Sequence, residues 1–214
     1  VTGANRGIGL ELCRQLAARG DAVVAVCRRP SESLRELGVQ VLDGVDVTDD
    51  ESVGRLAARL EGERIDVLVN NAGILERVSF DDLDIASCRR QFEVNSVGPL
   101  RVTRKLLGNL GHGSKVVIVT SLMGSMGDNA SGGSYGYRMS KAAVNAAGVS
   151  LARDLRSEGV AVALLHPGMV RTDMTGGRGI PVDESVRGLL ERTDALTLET
   201  SGTFWHADGR VLPW

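Results

Sequence analysis

Tyr137 and Lys141 stand four residues apart at the head of an apolar run with helical spacing (Ala142, Ala143, Val144, Ala146, Ala147, Leu151). Side chains four apart share one helical face, so a phenol and an ammonium can meet over a single site. A free phenol, with a pKa near ~10, is a poor proton donor or acceptor at neutral pH. A fixed ammonium beside it favours the phenolate and is expected to lower that value. The pair reads as an acid/base suited to moving a proton on or off an oxygen. An incidental surface pair is the bland alternative, since Tyr-x-x-x-Lys alone is a weak motif. Composition weighs against it. Arg outnumbers Lys 22 to 3, and both tyrosines, Tyr135 and Tyr137, lie in this stretch. A chain that nearly always chooses Arg for positive charge has placed at 141 a compact ammonium, which differs in hydration, reach and pKa.

A second chemical stretch opens the chain, V-T-G-A-N-R-G-I-G, followed by helical spacing at Ile8, Leu12 and Leu16. Gly3, Gly7 and Gly9 permit a tight turn and close approach of a phosphate, with the amides of the next helix aimed outward. Such a loop leaves the end of a buried strand, yet only Val1 precedes Thr2. A first strand truncated from this sequence is therefore expected. Its place would be central, between the strands at 21–26 and 65–69, and its loss should cost stability.

The elements that must position these residues alternate along the chain. Apolar, β-branched runs predict strands at 21–26, 39–42, 65–69, 115–120 and 160–165, with an edge strand at 202–207. Residues 31–37 read as a short helix and 82–110 as mostly helical. Thr48-Asp49-Asp50-Glu51 reads as a capping box, with Thr48 as N-cap, opening a helix with Val53, Leu56, Ala57 and Leu60 inward. Nearly all-apolar strands alternating with helices predict an α/β fold in three layers, a doubly wound and mostly parallel sheet of Rossmann type. Ligands of such sheets bind beyond the carboxyl ends of the strands. The glycine loop, Arg28, Asp46, Asn70 to Gly73, Ser121 and Pro167 to Thr172 all fall there. Residues 173–195, glycine-rich at their start, are expected to wall an open substrate pocket.

With 214 residues, 43% apolar and 24% charged, and a net charge of −2, the chain reads as one domain, 1–214, with no basic surface for nucleic acid. Cys13, Cys27 and Cys88 lack Cys-x-x-Cys spacing, and His112, His166 and His206 form no metal-ligand pair, so neither a disulfide framework nor a metal is expected. No apolar run reaches membrane-spanning length, and a cytoplasmic location is the expectation.

Taken together, T-G-A-N-R-G-I-G at 2–9, N-N-A-G at 70–73, Asn95, Ser121, Y-R-M-S-K at 137–141 and H-P-G-M-V-R-T at 166–172 resemble the short-chain dehydrogenase/reductase family over essentially the whole chain. The short length, S-L-M-G-S-M-G-D-N and the terminal D-G-R-V-L-P-W look like the subgroup of C-factor signalling proteins and sniffer-type carbonyl reductases. The resemblance implies hydride transfer between a nicotinamide dinucleotide and a small aldehyde, ketone or alcohol. Tyr137 would be the general acid/base. Lys141 would lower its pKa and hold the nicotinamide ribose, Ser121 would bind the carbonyl oxygen, and Asn95 would position a water leading to Lys141. Asn5, Arg6 and Ile8 would join the three glycines around the phosphates. Asp46 and Val47 would meet the adenine, Asn70, Ala72 and Gly73 would line the adenosine side, and Pro167, Gly168, Val170 and Thr172 would meet the nicotinamide. A homodimer or homotetramer is implied by helices that commonly pair in the family, although reductase-like relatives include monomers. A nucleotide-binding signalling protein with incidental turnover is the alternative.

Charge bears on the choice of dinucleotide. NAD-using sheets place Asp or Glu at the end of the second strand, against the ribose 2′-hydroxyl. This strand ends Val26-Cys27-Arg28-Arg29, with no carboxylate before Glu32. Arg28 and Arg6 are expected to flank a 2′-phosphate, making NADP(H) the preferred cofactor and NAD(H) the second candidate.

Overall fold

A computed structural model describes all of residues 1–214. Strands β1 (Val24–Val26), β2 (Gln40–Leu42), β3 (Val67–Asn70), β4 (Lys115–Val119), β5 (Ala161–His166) and β6 (Phe204–His206) form within or next to the predicted runs, trimmed or shifted at their ends. β3, β4, β5 and β6 pair in that order, β1 pairs with β2, and every pairing is parallel. Val1 and Thr2 join the two groups. Val26 N donates to Val1 O at 2.8 Å, and Thr2 N donates to Val69 O at 2.9 Å. The central place expected of a first strand is thus held by two residues bonded to both neighbours.

Alternation along the strands sorts the core into two faces. Leu68, Val116, Ile118, Val162 and Leu164 pack with residues of α3 (Asp50–Arg59), α5 (Gly98–Lys105) and α6 (Tyr135–Asp154). Val69, Val117, Val119, Ala163 and Leu165 pack on the other side, with Leu12 of α1 (Gly7–Ala18) and Val186, Leu189 and Leu190 of α7 (Val182–Asp194). The result is the expected doubly wound, three-layered α/β sheet. Two short-range expectations change. The cap of α3 is Asp49, which accepts from Glu51 N and Ser52 N, because Thr48 turns both its amide and its hydroxyl onto the Asp46 carboxylate. A charged acceptor two residues back outcompetes the helix end. Likewise, 182–194 is a helix buried against β5 and α1, so only the loop before it remains free to wall a pocket.

Helical structure runs from α4 (Ile85–Phe92) into α5 through a π turn at Glu93–Val97. That turn holds Asn95. The two lysines outside the reactive pair also have specific partners. Lys105 Nζ reaches Asp50 at 2.9 Å, and Lys115 Nζ donates to Thr193 O and Asp194 O at 2.8 Å, closing the carbonyl end of α7.

Candidate active site

β4 runs out toward the first turns of α6, and the reactive residues meet at that seam. Ser121, Tyr137 and Lys141 are 8%, 8% and 5% exposed. Lys141 Nζ donates to Val119 O at 2.9 Å and lies 5.7 Å from the Tyr137 ring centroid. Ser121 heads a short turn in which its Oγ accepts from Met123 N at 3.1 Å. Gly124 closes that turn directly on α6. A Cβ there would lie 2.7 Å from the Lys141 carbonyl carbon, so a side chain would push the serine turn off the helix. Tyr135, the rival phenol, is 37% exposed and packs its ring 5.9 Å from Phe80, away from Lys141.

The electrostatics differ from the expectation drawn from spacing. Burial pushes the Tyr137 phenol up to about 12, and the Ser121 hydroxyl beside it offsets only part of that rise. Burial pushes the Lys141 ammonium down to about 8. Removal from water disfavours both charged forms, and here it outweighs an ammonium held on a backbone carbonyl rather than on the phenol. At neutral pH the protein therefore presents a protonated phenol and a largely cationic lysine. That is a proton donor, not a phenolate.

Asn95 is 1% exposed. Its Oδ1 accepts from Ile74 N at 2.9 Å, while Nδ2 donates to Ile74 O at 2.9 Å and to Ser140 Oγ at 3.0 Å. Ser140 in turn donates to Tyr137 O at 2.8 Å, and Ser96 Oγ donates to Ser140 O at 2.6 Å. The π turn inserts an extra residue and so aims two adjacent polar side chains at α6. The Asn95 amide is occupied as a strut between residue 74 and α6.

Beside this seam lies the glycine loop. Thr2 Oγ1 accepts from Asn71 N and Ala72 N at 3.0 and 3.1 Å, and Asn71 Nδ2 donates to Thr2 O at 2.9 Å. A Cβ on Gly9 would fall 2.2 Å from Gly3 O, so only glycine lets the turn of Gly3, Asn5, Arg6, Gly7 and Ile8 fold so tightly onto α1. α1 starts after Arg6 with no side-chain cap and no acid in its first turn, which leaves its end suited to an anion. Gly73 faces Asn95 and Lys141, where a Cβ would stand 3.8 Å from Nζ. Asn70 donates to Thr103 Oγ1 at 3.0 Å, and its buried Oδ1 meets no protein donor. These features fit a nicotinamide dinucleotide laid from the glycine turn to Lys141.

The remaining residues border the same edge. Burial works against the Asp46 carboxylate, yet Thr48 and the charges of Arg28 and Arg101 hold it below its usual range. Val47 O accepts from Arg101 Nη1 at 2.8 Å. Pro167 O accepts from the buried Ser185 hydroxyl at 2.7 Å, Gly168 passes beside His206, and Val170 bridges to Ile180. Thr172 heads the next short turn and approaches Gly7 across the cleft. Arg6 does not stand free: its guanidinium lies 3.5 Å from Asp173. Thr2, Asn71, Gly124 and Ser140 lie inside the quoted motifs but were given no role of their own, and nothing local marks Ser185.

Comparison with known proteins follows the same lines. The sequence profile of the short chain dehydrogenase family matches residues 1–180. The chain is 46% identical over 221 residues to 1-hydroxy-2-glutathionyl-2-methyl-3-butene dehydrogenase of Rhodococcus sp. (strain AD45), covering 100% of this chain and 98% of that protein. It is 47% identical over 154 residues to the C-signal of Myxococcus xanthus, covering 70% of this chain and 93% of that one. The structure of NADPH-bound carbonyl reductase from chicken fatty liver superposes with a TM-score of 0.91 at 31% identity, covering 100% of this chain and 97% of the other.

Proposed function

The chain belongs to the short-chain dehydrogenase/reductase family of NAD(P)-dependent oxidoreductases, and from this premise we propose that it reduces a small aldehyde or ketone with NADPH. The observation that carries the reading is the buried, protonated Tyr137 beside Ser121 and over Lys141. A group whose only task was to help hold a nucleotide would have no use for a phenol kept dry and neutral.

A bound nicotinamide dinucleotide would supply the hydride. The protein's own contribution begins with Ser121, whose hydroxyl orients the carbonyl oxygen and steadies the negative charge that develops on it. Tyr137 donates its proton to that oxygen as the carbon becomes an alcohol. Lys141, cationic below about 8, favours the phenolate left behind and would hold the ribose hydroxyls of the bound dinucleotide. Asn95 fixes the first turns of α6 through Ser140, keeping Tyr137 over the site. Run backward, the same groups oxidise an alcohol, which is the direction named for the Rhodococcus relative.

NADPH is favoured over NADH because Arg28 follows the end of β1 with no carboxylate before Glu32 in the sequence, and its charge already acts on Asp46 at the adenine side. The NADPH-bound state of the chicken enzyme supports the same choice. Consumption of NADPH and NADH against a panel of carbonyls tests the reading: higher kcat/KM with NADPH is expected. Turnover with no carbonyl, alongside tight dinucleotide binding, would favour the second reading, a nucleotide-binding signalling protein, to which the C-signal likeness points. No helix is long and apolar enough to cross a membrane, and a cytoplasmic small-molecule enzyme remains our proposal.

A further inference from the structure

Thr120 directly precedes Ser121 and Asn145 lies one helical turn beyond Lys141, yet neither has a part in the chemistry above. Both are 2% exposed, and Thr120 Oγ1 donates to Asn145 Oδ1 at 2.6 Å. Asn145 Nδ2 is buried without a protein acceptor, so this hydrogen bond is the one tie its side chain makes. Tyr137, Lys141 and Asn145 follow one another at intervals of four along a single face of α6. Against that face stand three consecutive residues of the β4 end. Val119 O takes the Lys141 ammonium, Thr120 takes Asn145, and Ser121 faces Tyr137. Three turns of one helix face thus each contact a different residue of the strand end.

We infer that the Thr120–Asn145 hydrogen bond is a register lock, which positions the Val119 carbonyl under Lys141 and the Ser121 hydroxyl beside Tyr137. Backbone pairing cannot set this register. Thr120 N is bonded to Leu165 O of β5, so sheet bonds fix the strand against its neighbour and make no tie to the helix, whose own bonds at Ser140 run to the π turn and not to β4. Gly124 against Lys141 and Gly148 against Leu164 bring α6 close but carry no directional bond. The Thr120–Asn145 hydrogen bond adds a second directional tie from strand to helix, one turn beyond that of Lys141 to Val119 O, and displacement of a reacting group by ~1 Å can cost ~100-fold in rate.

The inference rests on the reading of Ser121, Tyr137 and Lys141 as the reactive set, and its test separates the two. Thr120→Val and Asn145→Leu each remove the hydrogen bond while keeping the number and branching of side-chain heavy atoms, and Thr120→Ser retains it. The chain has three lysines, so lysine-labelled protein gives three ε-carbon NMR signals, and that of Lys141, whose burial lowers its titration to about 8, is the one followed. With Val119 O displaced, the ammonium loses its acceptor, and its titration should move to lower pH by at least ~0.5 unit in Thr120→Val and Asn145→Leu but not in Thr120→Ser. kcat should fall about tenfold in the first two, with the dissociation constant for NADPH nearly unchanged, and the double variant should be no worse than either single. An unmoved Lys141 titration in folded Thr120→Val, or losses that multiply in the double variant, would overturn the lock. The NMR reading holds even if no carbonyl is ever turned over, so failure of the proposed reaction would not be mistaken for failure of the lock.

Discussion

At the β4–α6 seam, Ser121, Tyr137, Lys141 and Asn95 are each less than a tenth exposed, and backbone, glycine contact or a second side chain holds every one of them. Across the cleft the opposite arrangement holds. Arg6 and Asp173 are 66% and 84% exposed and meet at 3.5 Å, and Arg28 is exposed as well. In the dry half, removal from water sets the protonation states, and position is fixed by short directional bonds. In the wet half, charge is screened and side chains are free to rearrange. Substitutions should accordingly be severe and geometric at the seam, mild and salt-dependent at the rim.

The largest effect belongs to Tyr137→Phe. The ring still packs, but no proton can be donated, and turnover should fall roughly 10²–10⁴-fold. The dissociation constant for the dinucleotide, read by fluorescence titration, should hardly move. Turnover above a small percentage of the parent's would shift the role to Tyr135 or to solvent. Lys141→Arg follows, with a loss of about 10²-fold despite the retained charge, since the planar fork cannot occupy a slot shaped by Val119 O and Gly124. An Arg variant working like the parent would mean that the rarity of lysine in this chain carries no chemical meaning.

Burial at the seam also makes stability depend on pH. Lys141 titrates at about 8 in the folded chain, below its ordinary 10.5. Between those values the unfolded chain binds a proton that the folded chain does not, so stability should rise with pH across that window. Below about 8 both states are protonated, and the cost of burying the ammonium is fully present. Tyr137 acts in the opposite sense. Its value is about 12 against an ordinary 10.0, so the folded chain keeps a proton that the unfolded chain loses, and stability should fall from 10.0 upward. Melting temperatures of the parent and of Lys141→Met against pH test both limbs. The variant should lose the rise and keep the fall.

Much of the fold could be read from the sequence because alternation of apolar runs reflects burial on two faces, and β1 to β5 were each marked by their own β-branched residues, while β6 stood out by Phe204 and Trp205. The reactive pair was legible for a similar reason: four-residue spacing on a helix is local geometry. The protonation states were not. The spacing of Tyr137 and Lys141 shows that they are near each other, whereas the depth that pushes one up and the other down comes from α4, the π turn and the serine turn closing over them. Asn95 was found as a motif residue, but its bonds to Ile74 and Ser140 span 21 and 45 residues. Thr2, bonded to Asn71 and Ala72 some 70 residues on, looked like the start of a loop. Even the short-range miss at Thr48 arose from competition, in which Asp46 offered a stronger acceptor than the helix end.

At the rim, Arg28→Asp should reverse the order of NADPH and NADH. An acid replaces the cation expected at the 2′-phosphate and can accept from a 2′-hydroxyl instead. A change of about tenfold or more in the ratio of kcat/KM values is expected, mostly through KM. Equal use of both dinucleotides by the parent would leave Arg28 as surface charge.

The smallest effect, and the one that most directly probes the exposed half, is that of Asp173→Asn. Asp173 is the acid paired with Arg6, and it sits on the short turn that begins at Thr172 and approaches the glycine turn through Gly7. An exposed pair of this kind is worth ~0–1 kcal/mol, so the melting temperature should barely change. Its competition with a ligand is another matter. While the Asp173 carboxylate holds the guanidinium, an incoming 2′-phosphate must displace it, and removing that carboxylate frees Arg6 and also removes a negative charge from the same edge of the cleft. Affinity for NADPH should therefore rise about two- to threefold at low salt, with NADH affected less, and the gain should vanish near ~1 M salt, where the screening length is about 3 Å. A gain that survives high salt would show that Asp173 acts by shaping the loop rather than by charge. No gain at low salt would place Arg6 away from the phosphate and leave Arg28 as the sole discriminating cation.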